Sequence, residues 1–166
     1  MRFVFLVVDF QPHQLTTINT LITNYNAEVL SISSKESVPT ELIPQHDYII
    51  YEKGKRSHFL NLIIGNEPNM LVVAGWFIKD FVWISKKVRK HLDIPVVSYS
   101  DTQWTGNFRQ RLNCLISPFH LQKAFTHIWV SGMYQFEYAR RLNFSKSQII
   151  FNSLSCNQNF FIQQSE

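Results

Sequence analysis

Short apolar runs alternate with segments of helical period along the whole chain. Residues 3–8 are continuously apolar, residues 27–32 form a weaker second run, and 48–51, 70–74, 94–99, 128–130 and 149–151 follow. Runs rich in Val and Ile that are apolar on both faces predict strands of a parallel sheet covered by helices on each side. The segments between them fit that role. Leu15, Ile18, Leu21, Ile22 and Tyr25 share one helical face, and Phe59, Leu60, Ile63 and Ile64 make a shorter one. Phe77, Phe81, Ile84, Val88 and Leu92 have the spacing of a helix laid on a sheet, closed by Asp93 and Pro95. Ser117-Pro118 divides a helix over 108–116 from a further turn over 119–125. Met133, Phe136, Ala139 and Leu142 mark the last helix.

Strand and helix alternate throughout, so the predicted class is α/β with a doubly wound, mostly parallel sheet. At 166 residues the chain is long enough for one domain with a full core. No internal repeat or linker interrupts it. From Asn152 onward the sequence turns polar and reads as a frayed or cut end.

Composition adds exclusions. Sixteen Lys and Arg against twelve Asp and Glu is a mildly basic balance, without the base-reading stripe of a nucleic-acid binder. Cys114 and Cys156 stand far apart with no CxxC spacing, which fits reduced thiols in a cytosolic protein. The apolar run 3–8 is too short to span a membrane and lacks a cleavage site, so it is read as a buried first strand. Asn143-Phe144-Ser145 fits a glycosylation acceptor, a short motif that arises by chance. There is no G-x-G-x-x-G, no P-loop, no H-E-x-x-H and no G-x-S-x-G, and no Asp-x-Asp pair to hold a metal–diphosphate. No metal or cofactor is expected.

Candidate chemistry gathers where strands end. Asp9-Phe10-Gln11 follows the first strand, Gly75-Trp76 the fourth, Ser100-Asp101-Thr102-Gln103-Trp104 the fifth with Arg109-Gln110 a turn later, and Ser131-Gly132 the sixth. Right-handed crossovers bring the carboxyl ends of parallel strands to one edge, where ligands bind. An exposed indole beside carboxylate, amide and guanidinium suits a polyhydroxylated ligand, the ring covering a sugar's apolar face. Taken singly, Trp76 or Trp104 also fits a core position.

The series AGW (74–76), IPVVSYSDTQW (94–104) with Arg109-Gln110, and FTHIWVSGMYQFEYARRLNFSKSQIIFN (125–152) resembles the acceptor-side, N-terminal domain of retaining GT-B glycosyltransferases of the group 1 (family 4) type. The resemblance covers 70–152 well and the first seventy residues only by pattern. It implies a Rossmann-like domain over 1–152 that is half of a two-domain architecture. A second Rossmann-like domain, C-terminal to it, would hold the nucleotide sugar, and reaction would take place between the two without a metal. Residues 153–166 then read as the start of an interdomain linker or a frayed tail, and the chain alone is expected to be inactive.

In the family a side chain after the fifth strand, commonly His, lies near the transferred sugar. Asp101 takes that position here and is the expected catalytic group, orienting a hydroxyl or supporting an oxocarbenium-like transition state. Gly75, Trp76, Trp104, Arg109 and Gln110 are expected on the acceptor side, and Asp9, Phe10, Gln11, Ser131 and Gly132 on the donor side. The first-strand loop departs from the family's glycine-rich pattern. Either it still offers a helix N-terminus to an anion or it is an ordinary turn with Pro12 early in the helix. Glu28 and Glu36 match the spacing of the donor domain's Glu pair but flank the second strand, a chance match.

Lys86, Lys87, Arg89 and Lys90 form the densest basic run, on the polar side of an amphipathic helix. It reads as a solvated face or as a peripheral contact with anionic membrane, which some family members make. The expected function is therefore transfer of a hexose from a nucleotide sugar to a glycan or glycolipid, in the cytoplasm, at or near the membrane's inner face. A non-catalytic glycan- or protein-binding module is the alternative. A phospho-receiver is disfavoured, since no Asp follows the third strand and Asp101 replaces the required Lys. An oxidoreductase is disfavoured for want of the glycine fingerprint.

Overall fold

The computed structural model describes residues 1–35 and 46–153. Glu36, Cys156 and the predicted tail beyond Ser153 lie outside the described residues. The elements follow as β1 (Arg2–Val7), α1 (Pro12–Tyr25), β2 (Glu28–Ser33), β3 (Tyr48–Ile50), α2 (Arg56–Gly65), β4 (Met70–Val73), α3 (Lys79–His91) and β5 (Val96–Ser100). Then come α4 (Phe108–Ile116), a 3-10 turn at Ser117–Phe119, α5 (Leu121–Ala124), β6 (His127–Val130), α6 (Met133–Arg141), a second 3-10 turn at Lys146–Gln148, and β7 (Ile149–Ile150).

The seven strands form one sheet in the order β3-β2-β1-β4-β5-β6-β7, and every adjacent pair is parallel. This is the α/β doubly wound, Rossmann-like arrangement that the alternating pattern predicts. The order reverses between β1 and β4, which opens a crevice beyond their carboxyl ends. Among described residues, no helix is long and apolar enough to cross a membrane.

Side chains alternate across each strand, so β1 feeds two cores. Val4 and Leu6 join Phe59 and Ile63 of α2, Phe81, Ile84 and Val88 of α3, and Tyr138 and Ala139 of α6 on one face. Phe5 and Val7 join Phe10, Ile18 of α1, Val72 and Tyr99 on the other. Helix α3 carries Asp80 in its first turn and Arg89, Lys90 and His91 in its last, charges that complement the helix dipole at both ends.

Two expectations change here. The spacing predicts Phe77 on the apolar face of α3, but the helix starts at Lys79 and Phe77 is 65% exposed. Its spacing matches the helix, but it lies two residues ahead of Lys79, before the extended N-cap at Ile78 where helical periodicity begins. The strand-end pattern predicts Phe10 on a ligand-facing loop, but it is 1% exposed and packs edge-on to Tyr48 at 5.5 Å. An apolar ring at the strand end is worth more in the core than in water, so the turn is folded around it.

Candidate functional site at the carboxyl edge of the sheet

Two hollows meet beyond the carboxyl ends of β1, β4 and β5. The larger, about 560 Å³, is lined by Gly75, Trp76 and Phe77 after β4, Asp101 and Thr102 after β5, Arg109, Asn113 and Ile116 of α4, and Tyr138 of α6. The smaller, about 340 Å³, is lined by Asp9, Gln11 and His13 after β1, by Gly75 and Phe77, and by Ser100 and Asp101. Gly75, Phe77 and Asp101 belong to both, so the two are parts of one cleft at the topological switch point.

The chain reaches this geometry by local means. Gly75 has φ +78, a left-handed conformation that a side chain would strain. A Cβ there would also lie 2.9 Å from Cε1 of Phe77. The glycine thus lets the chain turn sharply off β4 and lets the Phe77 ring lie over it. Trp76 is half-buried, 6.2 Å from the Tyr138 ring. Asp101 is exposed, and its backbone carbonyl accepts a hydrogen bond from Gln135 Nε2 at 3.1 Å.

Asp9 and His13 face the smaller hollow. Burial works to raise the Asp9 carboxyl, but hydrogen bonds with Gln11 and Lys35, and the Lys35 charge, outweigh it and hold it below its ordinary value of 3.8. Burial pushes the His13 imidazole below its ordinary 6.5, while the charge of Asp101 pulls it partly back. His13 was missed by the sequence reading. The signal was available: it falls one residue after Pro12, in the first turn of the helix that leaves β1.

The other predicted residues are placed differently. Gln110 is 6% exposed and its amide is committed internally. Its Oε1 accepts from Thr105 N (2.8 Å), Thr105 Oγ1 (3.0 Å) and Gly106 N (3.1 Å), and its Nε2 donates to Gln103 O (2.7 Å). Gln110 therefore shapes the loop after β5 and offers little to a ligand. Trp104 leaves the main cleft altogether. Its ring lies under the Arg141 guanidinium at 4.6 Å and beside Tyr138 at 5.7 Å, lining a separate hollow with Gly106, Arg111 and Cys114. Ser131 bonds Ser153 side chain to side chain at 3.2 Å, and Gly132 caps α6; neither lines the cleft. Burial raises the Cys114 thiol above its ordinary value of 9.0, which disfavours the reactive thiolate.

The described residues contain no group of three or more His, Cys, Asp or Glu side chains that could hold a metal ion. What the cleft offers instead is the carboxylates of Asp9 and Asp101, the His13 imidazole, the Arg109 guanidinium and the rings of Trp76, Phe77 and Tyr138 around a space large enough for a small ligand.

No protein-family model matches the chain, and no curated protein sequence does. Several solved structures share its fold. The S. aureus MnaA–UDP structure superposes with a TM-score of 0.62 at 10% identity, over 92% of this chain and 45% of that one. A putative UDP-N-acetylglucosamine 2-epimerase from Listeria monocytogenes gives 0.56 at 10% identity, over 89% and 44%. The dTDP-glucose 4,6-dehydratase of Bacillus anthracis in complex with NAD gives 0.52 at 12%, over 81% and 57%. The chain spans less than half the length of the first two. At such identities these likenesses establish the Rossmann-type fold.

Proposed function

We propose that this domain is the acceptor-binding half of a two-domain enzyme that transfers a hexose from a nucleotide sugar to a hydroxyl of a glycan or glycolipid. The observation that carries the reading is the convergence of Trp76, Asp101, His13 and Arg109 on one connected cleft at the switch point. Three further facts support it. The resemblance in sequence over 70–152 is to acceptor-side domains. The fold is shared with a structure containing UDP, and the chain covers 45% of that protein. The cleft's mix of carboxylate, imidazole, guanidinium and aromatic side chains suits a polyhydroxylated ligand.

On this reading the acceptor hydroxyl oxygen bonds to the anomeric carbon of the donor. The bond from that carbon to the phosphate oxygen breaks, and the nucleoside diphosphate leaves with the electron pair and takes up the acceptor hydroxyl's proton on the departing oxygen. Asp101 accepts a hydrogen bond from a sugar hydroxyl and, as an anion, opposes the positive charge that develops on the ring. His13, held neutral at pH 7 by burial, hydrogen-bonds the same ligand from across the cleft. Trp76 and Phe77 cover apolar sugar faces, and Arg109 fixes orientation at the acceptor end.

Calorimetric titration of the chain tests the binding half of the reading: acceptor glycans should release heat and nucleotide sugars should not. In a protein that includes the donor-binding domain, Asp101→Ala should lower turnover about 100- to 1,000-fold while the melting temperature holds. Unchanged turnover would remove Asp101 from the chemistry. Glycan binding with no turnover in that protein would favour the non-catalytic module instead.

A further inference from the structure

Helix α4 borders two spaces. Arg109, Asn113 and Ile116 line the cleft, while Arg111 and Cys114 line the separate hollow, about 540 Å³, that Trp104, Gly106 and Arg141 complete. At about 100° per residue the two sets stand roughly opposite each other on the helix. Tyr138 lines the cleft and lies 5.7 Å from the Trp104 ring, so a residue of the cleft wall also backs the hollow.

The polar groups around this hollow are donors. Arg111 Nε donates to Gly106 O at 2.9 Å, which leaves both Nη groups without an acceptor among the described residues. Arg141 Nε and Nη2 both donate to Glu137 Oε1, at 3.1 and 2.7 Å, which leaves Nη1. The Trp104 indole N–H has no acceptor among the described residues either. Its nitrogen sits at the Gly106 end of the hollow, 3.8 Å from where a Cβ on Gly106 would stand. Cys114 adds a neutral thiol, because burial raises it above its ordinary 9.0.

Charge is unbalanced in the same sense. Between Asp101 and Glu137 the sequence has no carboxylate. Glu137 is committed to Arg141, and Arg111 has no carboxylate partner among the described residues. The donors are also held in place. The Arg141 guanidinium is stacked 4.6 Å over the Trp104 ring, which fixes its plane and leaves its donors at the edge. Gly106 is tied through its N–H to Gln110 Oε1 at 3.1 Å and through its carbonyl to Arg111 Nε, from successive residues of α4. Donors fixed before a ligand arrives lose less freedom when it binds.

We infer that this hollow is a second binding site, separate from the cleft, that takes a phosphate group. Two guanidinium edges match the spacing of phosphate oxygens, and the indole N–H supplies a further donor. A neutral sugar would leave both cations unmatched, and a metal ion would meet like charge. The inference goes beyond the proposed function and stands without it, since the hollow uses neither Asp101 nor a donor sugar.

Proton–nitrogen NMR of the indole N–H groups tests this, with Trp104→Phe assigning the Trp104 signal among the four tryptophans. Inorganic phosphate and, separately, glycerol phosphate should each move that signal saturably at constant ionic strength, and chloride should not. The arm that saturates at the lower concentration tells a free-ion site from a phosphate-ester site. Arg111→Gln should weaken binding about tenfold. Arg141→Lys keeps the charge but loses the fork, and should weaken it by a comparable factor. This second variant leaves the Gly106 bond intact, so it tests the site even where Arg111→Gln loosens the loop. Lys53→Gln removes an exposed charge beyond the opposite edge of the sheet and should bind as the wild type does. A Trp104 signal that stays put, one that chloride moves equally, or equal weakening by Lys53→Gln would overturn the inference. Arg141 would then be a packing partner of the indole and nothing more.

Discussion

His13 and Asp101 line the same hollow from opposite sides of the switch point, the imidazole from the first turn of α1 and the carboxylate from the end of β5. Two effects act on the imidazole. Burial disfavours its charged form, the Asp101 carboxylate favours it, and burial wins. Asp101→Asn removes the favourable effect and leaves the other, so His13 should titrate at a still lower pH than in the wild type. Proton NMR of the His13 ring across pH 4–8 reads this directly. An unmoved midpoint would mean that the two groups do not sense each other, and the paired role proposed for them would fall.

Gly75 and Phe77 form the second coupling in the cleft. Any Cβ at position 75 meets left-handed strain and the Phe77 ring together. Gly75→Ala should cost about 1–2 kcal/mol in chemical denaturation and displace the ring. Phe77→Ala should leave stability within about 0.5 kcal/mol, because the side chain is 65% exposed, yet weaken glycan binding. If Phe77→Ala unfolds the domain, the ring is a packing element and has no ligand role.

The contrast between Phe77 and Phe81 shows what the sequence could and could not carry. Both fit one helical stripe, but only Phe81 is on α3 and buried. Periodicity finds an element's face; it does not find the cap, which depends on the backbone at Ile78. The sheet was legible because strands buried on both faces read as Val- and Ile-rich runs, and β1, β4 and β5 fall within one or two residues of the predicted runs. The strand-end rule brought Asp9, Gly75, Trp76 and Asp101 to one edge, because parallel topology leaves them no other place. It could not tell which way each side chain turns. Trp104 found Arg141 and Tyr138, and Phe10 found Tyr48, partners remote in sequence that no local pattern marks.

Gln110 holds the loop between β5 and α4 through three accepted hydrogen bonds and one donated. Gln110→Ala removes these hydrogen bonds from a buried side chain to half-buried and exposed partners and should cost about 1–2 kcal/mol. The loss should be local first: amides of Thr105 and Gly106 should exchange with solvent much faster, and Asp101 should lose its fixed position. Gln110→Glu keeps the acceptor but loses the donor to Gln103, so it should protect Thr105 and Gly106 and free the Gln103 end. Equal exchange in all three proteins would show that the loop is held by something else.

Stability should plateau between about pH 6.5 and 9 and fall on both sides. His13, His46 and His120 are each lowered from an ordinary 6.5, with burial the largest cause in every case. A depressed folded value means the unfolded chain binds protons first, so stability is intact above 6.5 and is lost as pH falls through the folded values. Asp9, depressed from 3.8 by Gln11 and Lys35 against the opposing effect of burial, adds a second loss below that pH. At the alkaline end burial raises Cys114 from 9.0 and raises Tyr51, Tyr99 and Tyr138 from 10.0. Their contribution is present below those ordinary values and disappears as pH climbs through the folded ones. Urea midpoints measured from pH 4 to 11 check the shape. His46→Gln should soften the acid limb, because one of the three histidines no longer has to charge. A midpoint that rises between pH 6 and 4 would contradict the partial burial of His13 and His46.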